Sequence, residues 1–237
     1  ENGVYNRSNT VWVGDLKYKD INQDGVINDQ DRTDIGSPLP LFTFGWNNTF
    51  RYKGFDLNIF LNGSYGNKVL NYSLMNGPSG GLASMRSAWV NQNASAIKDR
   101  AQLVPIDPDK VYESGSWFDD ITNVKVENSG TKTPRPTLSD PNDNDRLSTR
   151  YIEDGSYLRI KNITLGYTFP KKWMQKAHFD NIRVYCNIQN LYTFTKYSGY
   201  DPEVGASTQD SSGYAYGVDN GRYPSPTTYS FGVSLTF

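Results

Sequence analysis

The sequence predicts an all-β chain that contributes strands and long external loops to a large antiparallel transmembrane β-barrel. Three observations carry this: a strict two-residue alternation at the end of the chain, hairpin arms about twice the usual strand length, and connections that alternate between short and long. The final stretch, 227–237, places Tyr229, Phe231, Val233, Leu235 and Phe237 at every second position, with Ser230, Gly232, Ser234 and Thr236 between them. A period of two puts the large apolar side chains on one face of a strand and the small ones on the other. A last strand of this kind, ending on Phe237, is expected either as the closing strand of an outer-membrane barrel or as an edge strand of a soluble β-sandwich.

The same alternation marks the earlier strands. Phe42, Phe44, Trp46, Phe50 and Tyr52 share one face, opposite Thr43, Gly45, Asn47, Thr49 and Arg51. Lys53-Gly54 makes a tight turn, and Phe55, Leu57, Ile59, Leu61 and Tyr65 continue the apolar face, opposite Asp56, Asn58, Asn62 and Ser64. Each arm of this 41–66 hairpin exceeds the roughly 5–6 residues of an ordinary strand and reaches the roughly 9–11 that a bilayer requires. In 157–169 the apolar phase changes between Ile160 and Ile163, which predicts a bulge near Lys161-Asn162. A strand over 181–191 follows, with Ile182, Val184, Cys186 and Ile188 on one face. The connections are two residues at Lys53-Gly54, the long stretch 67–156, the shorter 170–180, and the long 192–226. Short turns on one rim and large loops on the other are expected of an outer-membrane barrel, with the long segments and residues 1–40 outside the cell. Five strands cannot close a barrel, so the chain is expected to be the C-terminal part of a larger one.

Between these strands, Leu82, Met85, Trp89, Ala96 and Ile97 have helical spacing and predict a helix between Gly81 and Leu103. Thr131 to Asp145, with Pro134, Pro136 and Pro141, reads as an exposed irregular loop. The composition agrees with a barrel: 36% hydrophobic residues and no apolar run near the roughly 18 residues of a spanning helix, but 14% aromatics including 17 Tyr. A net charge of -1 and the absence of a Lys/Arg cluster argue against a nucleic-acid partner. The single cysteine, Cys186, excludes an internal disulfide framework. Glu1 stands where an initiator Met would, so a processed or truncated chain, or a segment of something longer, is expected.

One motif carries chemistry. Residues 20–31 match a calcium loop, D-x-[DN]-x-[DN]-G-x-I-x-x-x-[DE]. Asp20, Asn22 and Asp24 would supply side-chain oxygens, Val26 its carbonyl, and Asp31 the closing carboxylate at position twelve; Asn28 stands at position nine. Gly25 permits the sharp turn and Ile27 points inward. Asp31 replaces the usual Glu, and its shorter arm should weaken affinity. A solvated acidic turn is the alternative. No catalysis is expected: His178 is alone, and the carboxylates Asp119-Asp120 and Asp140/Asp143/Asp145 read as solvated loop residues. Tyr197, Tyr200, Tyr214, Tyr216 and Tyr223 in the 192–226 loop suit sugar stacking or docking of a partner lid, or else pack the loop upon itself.

Several ordered stretches resemble SusC-type TonB-dependent transporters. They are Gly14 to Arg32 with Ile35-Gly36-Ser37-Pro38, Tyr151 to Tyr167, Asn190 to Glu203, and Tyr223-Pro224 before the last strand. The resemblance implies a plugged barrel of about 22 strands in the bacterial outer membrane. It also implies energy from the TonB complex, a SusD-like surface lipoprotein as partner, and oligosaccharide or peptide substrates. Plug, remaining strands and TonB contact have no counterpart in these residues and are expected in the rest of the transporter. The competing reading is a secreted, soluble, calcium-braced β-sandwich that binds carbohydrate.

Overall fold

The computed structural model describes residues 11–76, 98–113, 115–136, 140, 142–176, 179–207 and 215–237. The helix expected between Gly81 and Leu103 falls mostly on 77–97, and His178 and Tyr214 also lie outside the described residues. The chain forms two compact units, Glu1–Ile35 with Asn71–Tyr151, and Gly36–Leu70 with Ile152–Phe237.

The second unit is built on one antiparallel sheet of five strands in the order β1-β2-β7-β8-β12. These are β1 (Phe42–Tyr52), β2 (Phe55–Tyr65), β7 (Tyr157–Thr168), β8 (Asn181–Thr195) and β12 (Thr228–Thr236). The turn between β1 and β2 has φ of 45° at Lys53 and 89° at Gly54, the left-handed pair that two-residue hairpins need. A Cβ at Gly54 would also sit 2.7 Å from the Thr168 carbonyl oxygen, so this position needs glycine twice over. The register of β7 shifts against β2 at Phe60/Leu61 and against β8 between Ile160 and Asn162. Against β2, Lys161 is thus the extra residue, where the apolar phase changes in the sequence; against β8 it faces two residues, Asn190 and Leu191.

Short elements occupy segments that read as loop. The strand β3 (Lys68–Asn71) pairs with β6 (Ile152–Asp154) and with β11 (Val218–Asp219), and β9 (Ala206–Ser207) pairs with β10 (Ala215–Tyr216). A six-residue α-helix, α2 (Lys171–Lys176), follows β7; a five-residue one, α1 (Tyr72–Asn76), belongs to the first unit. The alternation underestimates β8, which runs on through Tyr192–Thr195. Asn190, with φ of 51°, interrupts the pattern there and mimics a strand end.

In the first unit, β4 (Leu103–Pro105) pairs with β5 (Val124–Val126), and Ala101, Val124 and Tyr151 are buried. The expected exposed loop at 131–145 is corrected here. Thr133 and Pro134 are buried, as are Asp140, Asn142, Asn144 and Asp145. Asn144 explains this: its amide accepts from Leu16 N at 2.8 Å and donates to Asp140 Oδ1 at 2.7 Å and Asp15 Oδ1 at 3.2 Å. Asp15 also accepts from Trp12 N at 2.8 Å and pairs with Arg135, so a run of polar side chains replaces an apolar core. Asp140, Asn142 and Asn144 are tolerated inside because their side chains are hydrogen-bonded.

Candidate functional site

The sheet has two chemically opposite faces, and register fixes which residues share each. On one face Trp46 stands opposite Leu61, Phe50 opposite Leu57, and Leu57 opposite Leu165. The row continues from Leu165 to Cys186 and from Cys186 to Phe231. This face is uncovered: Trp46 is 60% exposed, Phe50 58% and Phe231 81%. Cys186 is a free thiol in this row. A soluble sandwich would bury such side chains against a second sheet, so their exposure counts against that reading.

Aromatic rings concentrate at both ends of the apolar face. At one end Phe42 lies 6.2 Å from Phe44 and 5.4 Å from Tyr65, and Tyr192 lies 4.7 Å from Phe194. At the other, Phe55, Tyr167, Phe169 and Trp173 follow one another at 4.5, 5.1 and 6.3 Å, with Phe179 and Phe237 at 6.2 Å. Between them lie aliphatic rows such as Ile59–Ile163–Ile188. The 11 residues of β1, at about 3.3 Å each and a tilt of about 40°, rise about 28 Å, close to the apolar band of a barrel.

The other face is polar and internally bonded. Asn58 Nδ2 donates to Asn47 Oδ1 at 2.8 Å and Thr49 Oγ1 at 2.9 Å, and Thr164 Oγ1 donates to Asn187 Oδ1 at 3.0 Å. Arg183 binds Asp56 through Nε at 3.0 Å and a second nitrogen at 2.6 Å. Three aromatics break this polarity, Phe60, Tyr157 and Tyr185; Phe60 lies over Gly45 and Tyr185 over Gly232. Arg159, only 2% exposed, holds the 201–203 segment against this face: it pairs with Asp201, with Glu203 at 2.6 Å, and with Thr193 Oγ1 at 2.8 Å. Asp201 in turn accepts from the N–H groups of Glu203 and Ser225 at 3.0 and 3.1 Å.

The tyrosine loop divides. Tyr197, expected as a contact residue, is buried instead, and its hydroxyl donates to Asp219 Oδ2 at 2.6 Å. Burial, followed by that hydrogen bond, pushes its phenol far above the usual range. It packs the loop upon itself and offers no face to a ligand. Tyr200, Tyr216 and Tyr223 are exposed.

The candidate metal loop is tightly wound. Asp20 accepts from Gln23 N at 2.6 Å and Gly25 N at 2.8 Å, and Asp24 accepts from Val26 N at 2.8 Å and Asn22 Nδ2 at 2.9 Å. Asn22 Oδ1 accepts from Asp24 N at 3.0 Å. Asp31 joins the loop's two ends, accepting from Ile21 N and Asn28 N, each at 2.8 Å. The Asn28 and Ile21 amides hold its carboxyl below the ordinary carboxylate range. Gly25 has a φ of 84°, and Ile27 is the buried residue of the loop. This all-oxygen donor set suits a hard cation, and each carboxylate oxygen keeps a second lone pair. Among the described residues, no three acidic, His or Cys side chains converge tightly enough to hold a metal by themselves.

The carboxylates weighed for acid–base chemistry are structural. Asp119 accepts from Ser116 N at 2.8 Å, and Asp120 accepts from Thr122 N at 3.0 Å while pairing with Lys110 at 2.6 Å. Lys110 first, then the Thr122 hydroxyl, keeps Asp120 ionised far below the usual range.

No family model matches the chain. The TonB-dependent receptor P3 of Formosa agariphila is 32% identical over 225 residues, spanning 93% of this chain and 19% of that protein. The TonB-dependent receptor SusC of Bacteroides thetaiotaomicron is 26% identical over 223 residues, again 93% of this chain and 17% of that protein. The RagAB peptide importer in its closed-closed state shares the fold, with a TM-score of 0.55 at 22% identity over 91% of this chain and 20% of that one. The chain therefore spans about a fifth of the length of the proteins it matches.

Proposed function

On the premise that this chain is related over nearly its whole length to one stretch of the SusC-type TonB-dependent receptors, we propose that it forms part of the wall of an outer-membrane nutrient importer. The observation that carries the reading is the uncovered apolar face bounded by two aromatic rows, backed by a polar face. Lipid would cover the first, and the second would line the lumen. The outer edges of β1 and β12, which end the sheet among the described residues, would pair with further strands of the same barrel.

The Lys53-Gly54 turn and residues 170–180 would lie on the periplasmic rim, and residues 1–40, 67–156 and 192–226 outside the cell. A SusD-like lipoprotein, a plug and the TonB complex would complete the transporter. The cargo class is an oligosaccharide or a peptide, the second supported by the likeness to a protein described as a peptide importer. Among the described residues of the loop, Tyr200, Tyr216 and Tyr223 are exposed aromatics that cargo or the lipoprotein would meet. Residues Asp20, Asn22, Asp24, Asp31 and the Val26 carbonyl would bind Ca²⁺, which would brace the external loop without taking part in any reaction.

The test of the wall is made on the polypeptide from its native cells. The expected species is several times heavier than 26.8 kDa, requires detergent, and migrates differently when unheated. A soluble chain near 26.8 kDa would leave the calcium-braced sandwich as the account. For the metal, terbium luminescence should be lost in the Asp20→Ala/Asp24→Ala protein; undiminished binding removes calcium from this loop.

A further inference from the structure

We propose that the short-turn rim of the sheet binds the headgroup of an anionic phospholipid, using Lys53, Lys171 and Lys172 beside Trp173. The inference rests on the membrane reading and adds a lipid chemistry to it. Residues 51–56 and 168–183 carry Arg51, Lys53, Lys171, Lys172, Lys176 and Arg183, against only Asp56 and Asp180. Asp56 is already neutralised by its two-pronged bond to Arg183. The remaining cations are therefore in excess. Lys53, Lys171 and Lys172 are exposed, and the Lys53 ammonium lies 5.1 Å from the centre of the Tyr52 ring.

Their placement matters as much as their charge. The chain of rings from Phe55 through Tyr167 and Phe169 ends at Trp173, which is 64% exposed. Lys171 and Lys172 stand on α2 immediately before it. Aromatic rings sit at the depth of headgroups and ester linkages, and lysines beside them reach the phosphate plane. The long-loop end of the same unit has no such excess: among the described residues Glu153, Asp154, Asp201, Glu203 and Asp219 are matched by Lys68, Arg159, Lys161, Lys196 and Arg222, with Arg159 and Lys161 paired to Asp201 and Glu203. The cationic excess is thus a property of one rim.

The full-length protein carrying this chain is reconstituted in phosphatidylcholine vesicles containing a trace of phospholipid with a photoreactive group next to its headgroup. The probe is either glycerol-headed and anionic or choline-headed and zwitterionic, and crosslinks are mapped to residues. The inference predicts about threefold more crosslinking of residues 52–55 and 169–173 by the anionic probe at low salt. This preference should fall to parity in the Lys53→Gln/Lys171→Gln/Lys172→Gln protein, and in the unaltered protein at about 1 M salt, where screening shortens to about 3 Å. Equal crosslinking by the two probes at low salt overturns the headgroup site, as does a preference that survives the substitutions and salt. Absence of crosslinks anywhere on the apolar face, with either probe, overturns the membrane reading itself.

Discussion

Tyr151 is the largest fully buried side chain of the first unit among the described residues, with its hydroxyl donating to the Asn144 carbonyl at 2.8 Å. Burial pushes its phenol up to about 12. The unfolded phenol titrates near 10, so the folded state holds the extra proton above that pH. The stabilisation from this group is full below about pH 10 and is lost as pH rises toward about 12. A tyrosinate absorbance titration should show a delayed class of tyrosines, diminished by one residue in Tyr151→Phe; uniform titration near pH 10 would contradict this. At Arg159, replacement by Gln leaves buried Asp201 without its main countercharge, a loss of about 3–5 kcal/mol when one partner of a buried pair is removed. The local result should be faster proteolysis within 196–227, with heat-modifiable migration unchanged. A segment that stays resistant would show that the Tyr197–Asp219 bond holds it alone.

At the scale of elements, neighbouring residues of β12 make a matched pair. Phe231 stands on the apolar face opposite Cys186, while Ser230 faces the polar side opposite Asn187. A lysine at the apolar position should cost about 2–4 kcal/mol near the bilayer midplane, and at the polar position much less. Folding equilibria of Phe231→Lys and Ser230→Lys in vesicles measure this; equal losses would mean that the faces are not separated by lipid and water. The strands were legible because period two is strict wherever one face must stay apolar, and the phase change in β7 disclosed the bulge at Lys161. Less legible was anything decided by a long-range polar partner. Asn190 disguised the last four residues of β8, and the burial of Asp140 and Asn144 depends on Asp15 and Leu16 far away in sequence. Tyr197 and Tyr200 look alike in the sequence; only the position of Asp219 makes one structural and the other exposed. The metal loop was visible as a pattern because its donors are contiguous, and its winding follows from Asx side chains that cap nearby amides.

For the whole molecule, the two units divide the work by composition. The first, rich in Asp and Asn, buries polar side chains that bond to one another and carries the candidate calcium loop. The second is an amphipathic sheet whose apolar face lipid would cover. The claim that unites them is that β1, β2, β7, β8 and β12 cross a bilayer. Its most direct measurement is a nitroxide scan of residues 228–236 in the full-length protein, reconstituted in vesicles, comparing collisions with oxygen and with a water-soluble nickel chelate. The account predicts oxygen maxima at 229, 231, 233 and 235, with the chelate favoured at the positions between. Strong chelate collisions at all nine positions, or no alternation, would contradict a membrane-spanning strand and with it the proposed wall.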